Sequence, residues 1–254
     1  SGSLLLLIPV LLVFTFIFSY KKLEEKDVII SNIEKATKNS DHSTFAVLQQ
    51  PFASPREMTA ACLTCHKSRA GEVMKTAHWK WTSPDTLING LVIHSGKMNV
   101  LNNFCVGIQS NEALCSTCHV GYGLSASDFD FAGPENVDCV VCHDNTGTYI
   151  KEKGKSGMVA AAVDLNLVAQ HVGPTSNRNC SNCHAKGGGG NNVKHGDLDM
   201  DMANPEKCSR EVDVHMSGDG AGLNCSQCHI TSHHEVSGVG QMTNASTLSD
   251  PTNR

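Results

Sequence analysis

The order of apolar and polar positions divides the chain into four stretches. Residues Leu4 to Tyr20 (LLLLIPVLLVFTFIFSY) form an uncharged, mostly apolar run closed by Lys21 and Lys22, near the short end of the roughly 17 to 25 residues that a membrane-spanning helix needs. The run predicts a transmembrane anchor over residues 1–20. A secretory leader is the other reading of such a run, and no small-x-small cleavage site follows it. Residues 21–57 are polar with a short helical period around Val28 to Ile33, which predicts a linker or stalk. From 58 to 240 no long apolar period persists. EVMKTAHWKW (Glu72 to Trp81) fits a short helix carrying His78, and no strand alternation of any length is visible. Residues 241–254 (QMTNASTLSDPTNR) read as a tail.

Composition changes this picture. Aromatic residues are 5% of the 254, glycines number 22, and the hydrophobic total of 40% leans on the N-terminal run. The rest of the chain has too few large side chains for its length, so something other than protein must fill the interior. The cysteines say what that is. Ten of the twelve fall in five Cys-x-x-Cys-His units, motifs one to five: Cys62/Cys65/His66, Cys115/Cys118/His119, Cys139/Cys142/His143, Cys180/Cys183/His184 and Cys225/Cys228/His229. This is the attachment signature of heme c. Two thiols three residues apart reach the two vinyl groups of one porphyrin, and the next imidazole lies under the iron. A zinc ribbon does not need a histidine after every pair, and a disulfide scaffold does not hold the spacing constant.

The cofactor reading is therefore five covalently attached hemes c. Because heme c is attached outside the cytoplasm, the chain after the anchor is expected to face the periplasm or the cell exterior. A net charge of -5 without a basic patch or arm argues against a nucleic-acid partner. Five hemes over residues 58–240 leave too little chain for separate domains. The expected fold is mainly α with extensive loops, one cytochrome body organised around packed hemes.

Five hemes also need distal ligands, and eight histidines lie outside the motifs. His78, His195, His215 and one of His233 or His234 have the most ligand-like surroundings, followed by His171 and His94. His42, in the polar linker, reads as solvated. Bis-histidine ligation implies low-potential electron relay, since methionine in the distal place raises the potential. The GGGG run at Gly187 to Gly190 lacks the lysine and hydroxyl residue of a phosphate loop and suits close approach to a porphyrin. Asp197, Asp199 and Asp201 read as an acidic turn. Cys105 and Cys208 stand outside the motifs, as buried thiols, as a pair, or, for Cys105, in contact with substrate sulfur.

The middle of the chain resembles the octaheme tetrathionate reductase family of multiheme c-type cytochromes. The resemblance lies in REMTAACLTCH (Arg56 to His66), AHW (Ala77 to Trp79), GKMNVLNNFC (Gly96 to Cys105), CSTCHVGYG (Cys115 to Gly123), FDF (Phe129 to Phe131), NVDCVVCHDNTGTY (Asn136 to Tyr149), GGGG with VKHGDLD (Gly187 to Asp199), DVHM (Asp213 to Met216) and CSQCH (Cys225 to His229). It implies reduction of sulfur and nitrogen oxyanions such as tetrathionate, nitrite and hydroxylamine. It also implies that the heme of motif two has a lysine amine as distal ligand. Lys97 best fits that place, with Lys151, Lys153 and Lys155 as competitors, and His94 is a candidate proton donor. A neutral amine is a weaker, more pH-sensitive ligand than imidazole, and its displacement opens the iron to substrate.

This chain carries five motifs where the family has eight. Two roles follow as leading expectations: a membrane-anchored cytochrome relaying electrons to other redox proteins or cytochrome subunits, and an oxyanion reductase acting at His119 and Lys97. A third is a subunit of a cytochrome filament whose hemes stack across chain boundaries.

Overall fold

The computed structural model describes residues 40–236 apart from 83–85, 94–95, 98–110, 125–128, 186–197, 200, 203 and 205. The apolar run from Leu4 to Tyr20, the linker as far as residue 39 and the tail from residue 241 lie outside the described residues. Among the described residues, no helix is long and apolar enough to cross a membrane.

The helices are short: α1 (Pro55–Cys65), α2 (Arg69–Val73), α3 (Ala77–Lys80), α4 (Glu112–Cys115), α5 (Val140–His143), α6 (Leu165–Gln170), α7 (Asn177–His184) and α8 (Cys225–Cys228). Two small hairpins accompany them, β1 (Thr86–Ile88) with β2 (Leu91–Ile93), and β3 (Thr231–Ser232) with β4 (Glu235–Val236). Loops and single 3-10 turns make up the rest of the described chain, in keeping with a mainly α, loop-rich body. The helix expected over Glu72 to Trp81 forms only in part: Glu72 and Val73 end α2, residues 74–76 turn, and α3 alone carries His78, ended by Trp81 in the left-handed region at φ 56°.

Helices of this length do not persist alone, so capping starts them. Ser54 accepts from the Glu57 N–H at 3.2 Å and Pro55 takes the first helical position of α1. Capping boxes open α7 (Ser176 with Asn179) and α8 (Asn224 with Gln227). Each Cys-x-x-Cys pair then falls on a helical turn, where positions i and i+3 share a face. Motif one occupies the last turn of α1, motif four the last turn of α7 and motif five α8. Motif three starts at the N-cap of α5, and motif two runs from α4 into the 3-10 turn Ser116–Cys118.

Beneath these turns lies a core of Met58, Trp79, Val137, Val140, Tyr149 and Val168, with a smaller cluster at Trp81 and Leu124. The 3-10 turns His42–Thr44 and Ala46–Leu48 pack on α6, where the Gln170 amide donates to the Leu48 carbonyl at 3.0 Å. That contact holds His42 to the body. Gly157, at φ +76°, lies against motif two so closely that a Cβ there would sit 2.7 Å from the Ser116 carbonyl oxygen.

Candidate functional site

Motif two holds the most enclosed imidazole. His119 is fully buried, with the rings of Trp79, Trp81 and Phe129 each centred 5.3 Å away and Phe131 at 6.2 Å. Its Nε2–H donates to the Trp79 carbonyl at 2.6 Å, while Nδ1 is buried without a hydrogen-bond partner among the described residues. Burial pulls its pKa down to about 4, helped by the positive charges of Lys151 and Lys97 and opposed by the bond to Trp79.

The lysines named from the sequence separate here. Lys97 is half-buried and its amine lies 4.8 Å from the centre of the Trp81 ring, on the flank of the His119 cage. Lys151 is committed elsewhere. Its amine pairs with Asp138 at 3.0 Å and donates to the carbonyls of Gly121, at 3.1 Å, and His119. Lys153 and Lys155 are exposed beside the Gly154 turn. Of the four candidates, Lys97 is thus the one whose amine lies against the Trp81 ring. His94 and Cys105 lie outside the described residues.

Three imidazole pairs join a motif histidine to one from elsewhere in the chain. The ring centres of His66 and His42 are 6.3 Å apart, those of His184 and His78 6.2 Å, and those of His143 and His234 6.4 Å. An iron–nitrogen bond of about 2 Å on either side, plus roughly 1 Å from each nitrogen to its ring centre, puts two axial imidazoles about 6 to 6.5 Å apart. The chain therefore fits one iron between each pair. The hydrogen bonds agree: His143 Nδ1 bonds the Gly173 carbonyl at 2.8 Å and His234 Nδ1 bonds Glu72 at 2.8 Å, leaving each Nε2 for a metal.

His78 and His234 were expected among the ligands. His42 was expected in solvent and is instead brought to His66 by the turns on α6. His171 is exposed with Nδ1 on the Leu167 carbonyl at 2.8 Å, His215 is exposed 3.7 Å from the Asp213 carboxylate, and His233 is exposed at a hairpin tip. His195 and the GGGG run lie outside the described residues. Glu72 was missed. Its carboxyl is held down at about 2 by Arg69 and then by His234, and an exposed-looking Arg-x-x-Glu pair carries no signal for such a role.

The cysteine chemistry also fits thioether attachment. Among the described residues every motif cysteine is free of a disulfide, and no three metal-ligating side chains converge as a zinc site requires. Burial pushes the thiols of Cys62 and Cys142 up to about 11, while contact with Cys180 draws that of Cys225 down to about 6. Cys208 is buried, its thiol turned to the Ser209 carbonyl.

The motifs touch in a definite order. Motif one lies by motif three, because α1 packs on the turn Pro134–Asn136 and the Thr59 hydroxyl donates to the Val137 carbonyl at 2.9 Å. Motif four meets three others. Asn179 donates to the Asp144 carbonyl at 2.9 Å behind motif three, Asn177 accepts from the Cys225 N–H at 2.7 Å at motif five, and α7 packs on the turn of motif two. The side chains of Cys183 and Cys118, and of Cys180 and Cys225, lie near each other across these junctions.

Comparison with known proteins agrees with this chemistry. Residues 61–144 match the family model Cytochrome c554 and c-prime. An uncharacterized protein of Archaeoglobus fulgidus is 26% identical over 243 residues, covering 77% of this chain and 80% of its own length. The crystal structure of octaheme cytochrome c from Shewanella oneidensis superposes with a TM-score of 0.69 at 43% identity, covering 79% of this chain. This chain spans only 43% of that one. Attachment motifs, paired imidazoles and fold together identify the chain as a multiheme c-type cytochrome.

Proposed function

We propose that the chain carries five hemes c, one at each motif, and passes electrons along them. It does so on the outer side of a membrane to which Leu4–Tyr20 anchors it, exchanging electrons with other redox proteins. The observation that carries this reading is the set of three imidazole pairs at 6.2 to 6.4 Å. Bis-imidazole ligation gives low-potential relay centres closed to substrate. The contacts between motifs favour a route from one through three to four, branching there to two and five.

Heme quantitation and electron paramagnetic resonance of the oxidised protein test it. Five hemes per chain are expected. The nearly parallel rings of His42 and His66, at 23°, should give a rhombic low-spin signal. The crossed pairs at 79° and 74° should give strongly anisotropic ones. Fewer than five hemes, or high-spin iron at motifs one, three and four, would overturn the proposal.

A second reading, reduction of a small sulfur or nitrogen oxyanion at motif two, is favoured by the position of Lys97. Heme bound there supplies the electrons. The chain's own residues do the rest: Trp79, Trp81 and Phe129 keep water from His119, Lys151 fixes the loop behind it, and Lys97 offers a displaceable amine and a proton. Lys97→Ala is expected to slow reoxidation of the reduced protein by tetrathionate, nitrite or hydroxylamine at least tenfold. Unchanged reoxidation in that variant sinks the reductase reading and leaves the relay.

A further inference from the structure

His234 sits where the sequence would not ordinarily place a histidine. The β3–β4 hairpin turns through His233 and His234, at φ 49° and 65°, and such a turn favours Asn-Gly because both central residues take the left-handed conformation. Two histidines held there mark a strained tip, and strain of this kind persists only where surrounding contacts fix it. Glu72 and its neighbours on α2 supply those contacts. The His234 Nδ1–H donates to Glu72 Oε2 at 2.8 Å, and Arg69 grips both oxygens of that carboxylate at 2.9 Å from α2. The Ser68 hydroxyl reaches the same group at 3.4 Å. On the opposite side of the proposed iron, His143 bonds a neutral carbonyl, that of Gly173. The two axial imidazoles of motif three thus differ in kind: one leans on a peptide, the other on a charge.

We propose that Glu72 is a positioning residue for the heme of motif three. It locks the strained hairpin so that His234 Nε2 faces His143. By drawing on the Nδ1 proton it makes that imidazole a stronger donor, so the heme has a lower reduction potential than a carbonyl-bonded ligand would give. This rests on the reading of His234 as the distal ligand at motif three. The physical ground is that a carboxylate accepting from an axial histidine raises ligand basicity and favours the oxidised iron. The consequence for relay is a low-potential centre between motif one and motif four, a step that electrons must climb before the branch.

The test uses the holoprotein with all hemes attached, followed by potentiometric titration and electron paramagnetic resonance. Replacing His234 by Ala in a His233→Ala background should convert one low-spin heme to high spin. If all hemes stay low spin, the ligand reading itself fails. Glu72→Gln, nearly isosteric and partly exposed, should leave every heme low spin and raise one midpoint potential, with a change in the anisotropy of that heme alone. Glu72→Asp keeps the charge but is one methylene too short for the bond, and should move the same midpoint in the same direction. Loss of one low-spin signal in the histidine variant with unmoved midpoints in both Glu72 variants overturns the proposal and leaves the ligand standing. A midpoint that moves in Glu72→Gln but not in Glu72→Asp also overturns it, because charge alone would then be the cause.

Discussion

Lys151 is the most demanding single placement in the molecule. Its side chain is 3% exposed, and Asp138, which it pairs with at 3.0 Å, is wholly buried. The pair persists because every group finds a partner. Asp138 also accepts from the Tyr149 hydroxyl at 2.7 Å and the Val141 N–H at 3.0 Å, while Lys151 donates to the carbonyls that follow motif two. Removing one member strands the other charge. Lys151→Met is expected to destabilise the holoprotein by about 3–5 kcal/mol, measured by denaturant unfolding. The double variant Lys151→Met/Asp138→Asn should recover part of that loss, because partners in one network are not additive. An unshifted midpoint in the single variant would show that the pair contributes nothing.

The same residues show where sequence reasoning stops. Lys151 stood as a competitor to Lys97 for the ligand role because a charge on a string of residues carries no sign of burial. Asp138, thirteen positions away, reveals nothing of the pairing. His42 read as solvated for a related reason. Its partner His66 lies beyond a loop, and only the packing of two 3-10 turns on α6 brings them together. Heme attachment was legible because its chemistry is local, confined to five consecutive residues. Distal ligands are long-range and were legible only as a surplus of histidines.

Among the elements, α7 does the most joining. Asn179 closes its capping box by accepting from the Ser176 N–H at 2.9 Å, and its amide donates to the Asp144 carbonyl at 2.9 Å. One buried side chain thus both starts the helix of motif four and ties it to motif three. Asn179→Ala should cost about 2 kcal/mol, from a lost cap and a buried carbonyl left unpaired. Ser181→Ala on the same helix, whose hydroxyl bonds the Arg178 carbonyl one turn back, should cost under about 0.5 kcal/mol. Equal losses in the two would refute the joining role. The Asn89-Gly90 hairpin was legible in principle, since an Asn-Gly pair flanked by Leu and Ile is a turn signal, but strands of three residues are too short for alternation to register. The β3–β4 hairpin offers not even that signal, because histidines occupy its turn.

At the scale of the whole molecule, the question is what holds so little regular structure together. The described helices run from four residues to eleven, and none reaches the roughly 12 to 15 at which an isolated helix becomes even marginal. The hairpins are shorter still, and a lone two-stranded hairpin is not stable in water. The apolar core is small, and Leu87, Leu91, Val212 and Ile230 are 60% exposed or more. Conformational entropy opposes folding at about 1–2 kcal/mol per residue, and these elements bury too little apolar surface to offset it. Porphyrins bound between the imidazole pairs would supply that surface, and two thioether bonds at each would shorten the unfolded chain's reach. Folding and cofactor attachment should therefore be one event, as they are for small metal-organised domains. The chain made in cells unable to attach heme is expected to show little far-UV helical signal, rapid proteolysis and no cooperative melting. The heme-loaded chain should melt cooperatively. A heme-free chain that unfolds in a single sharp transition would mean that the protein core suffices alone, and that the hemes occupy a scaffold they do not build.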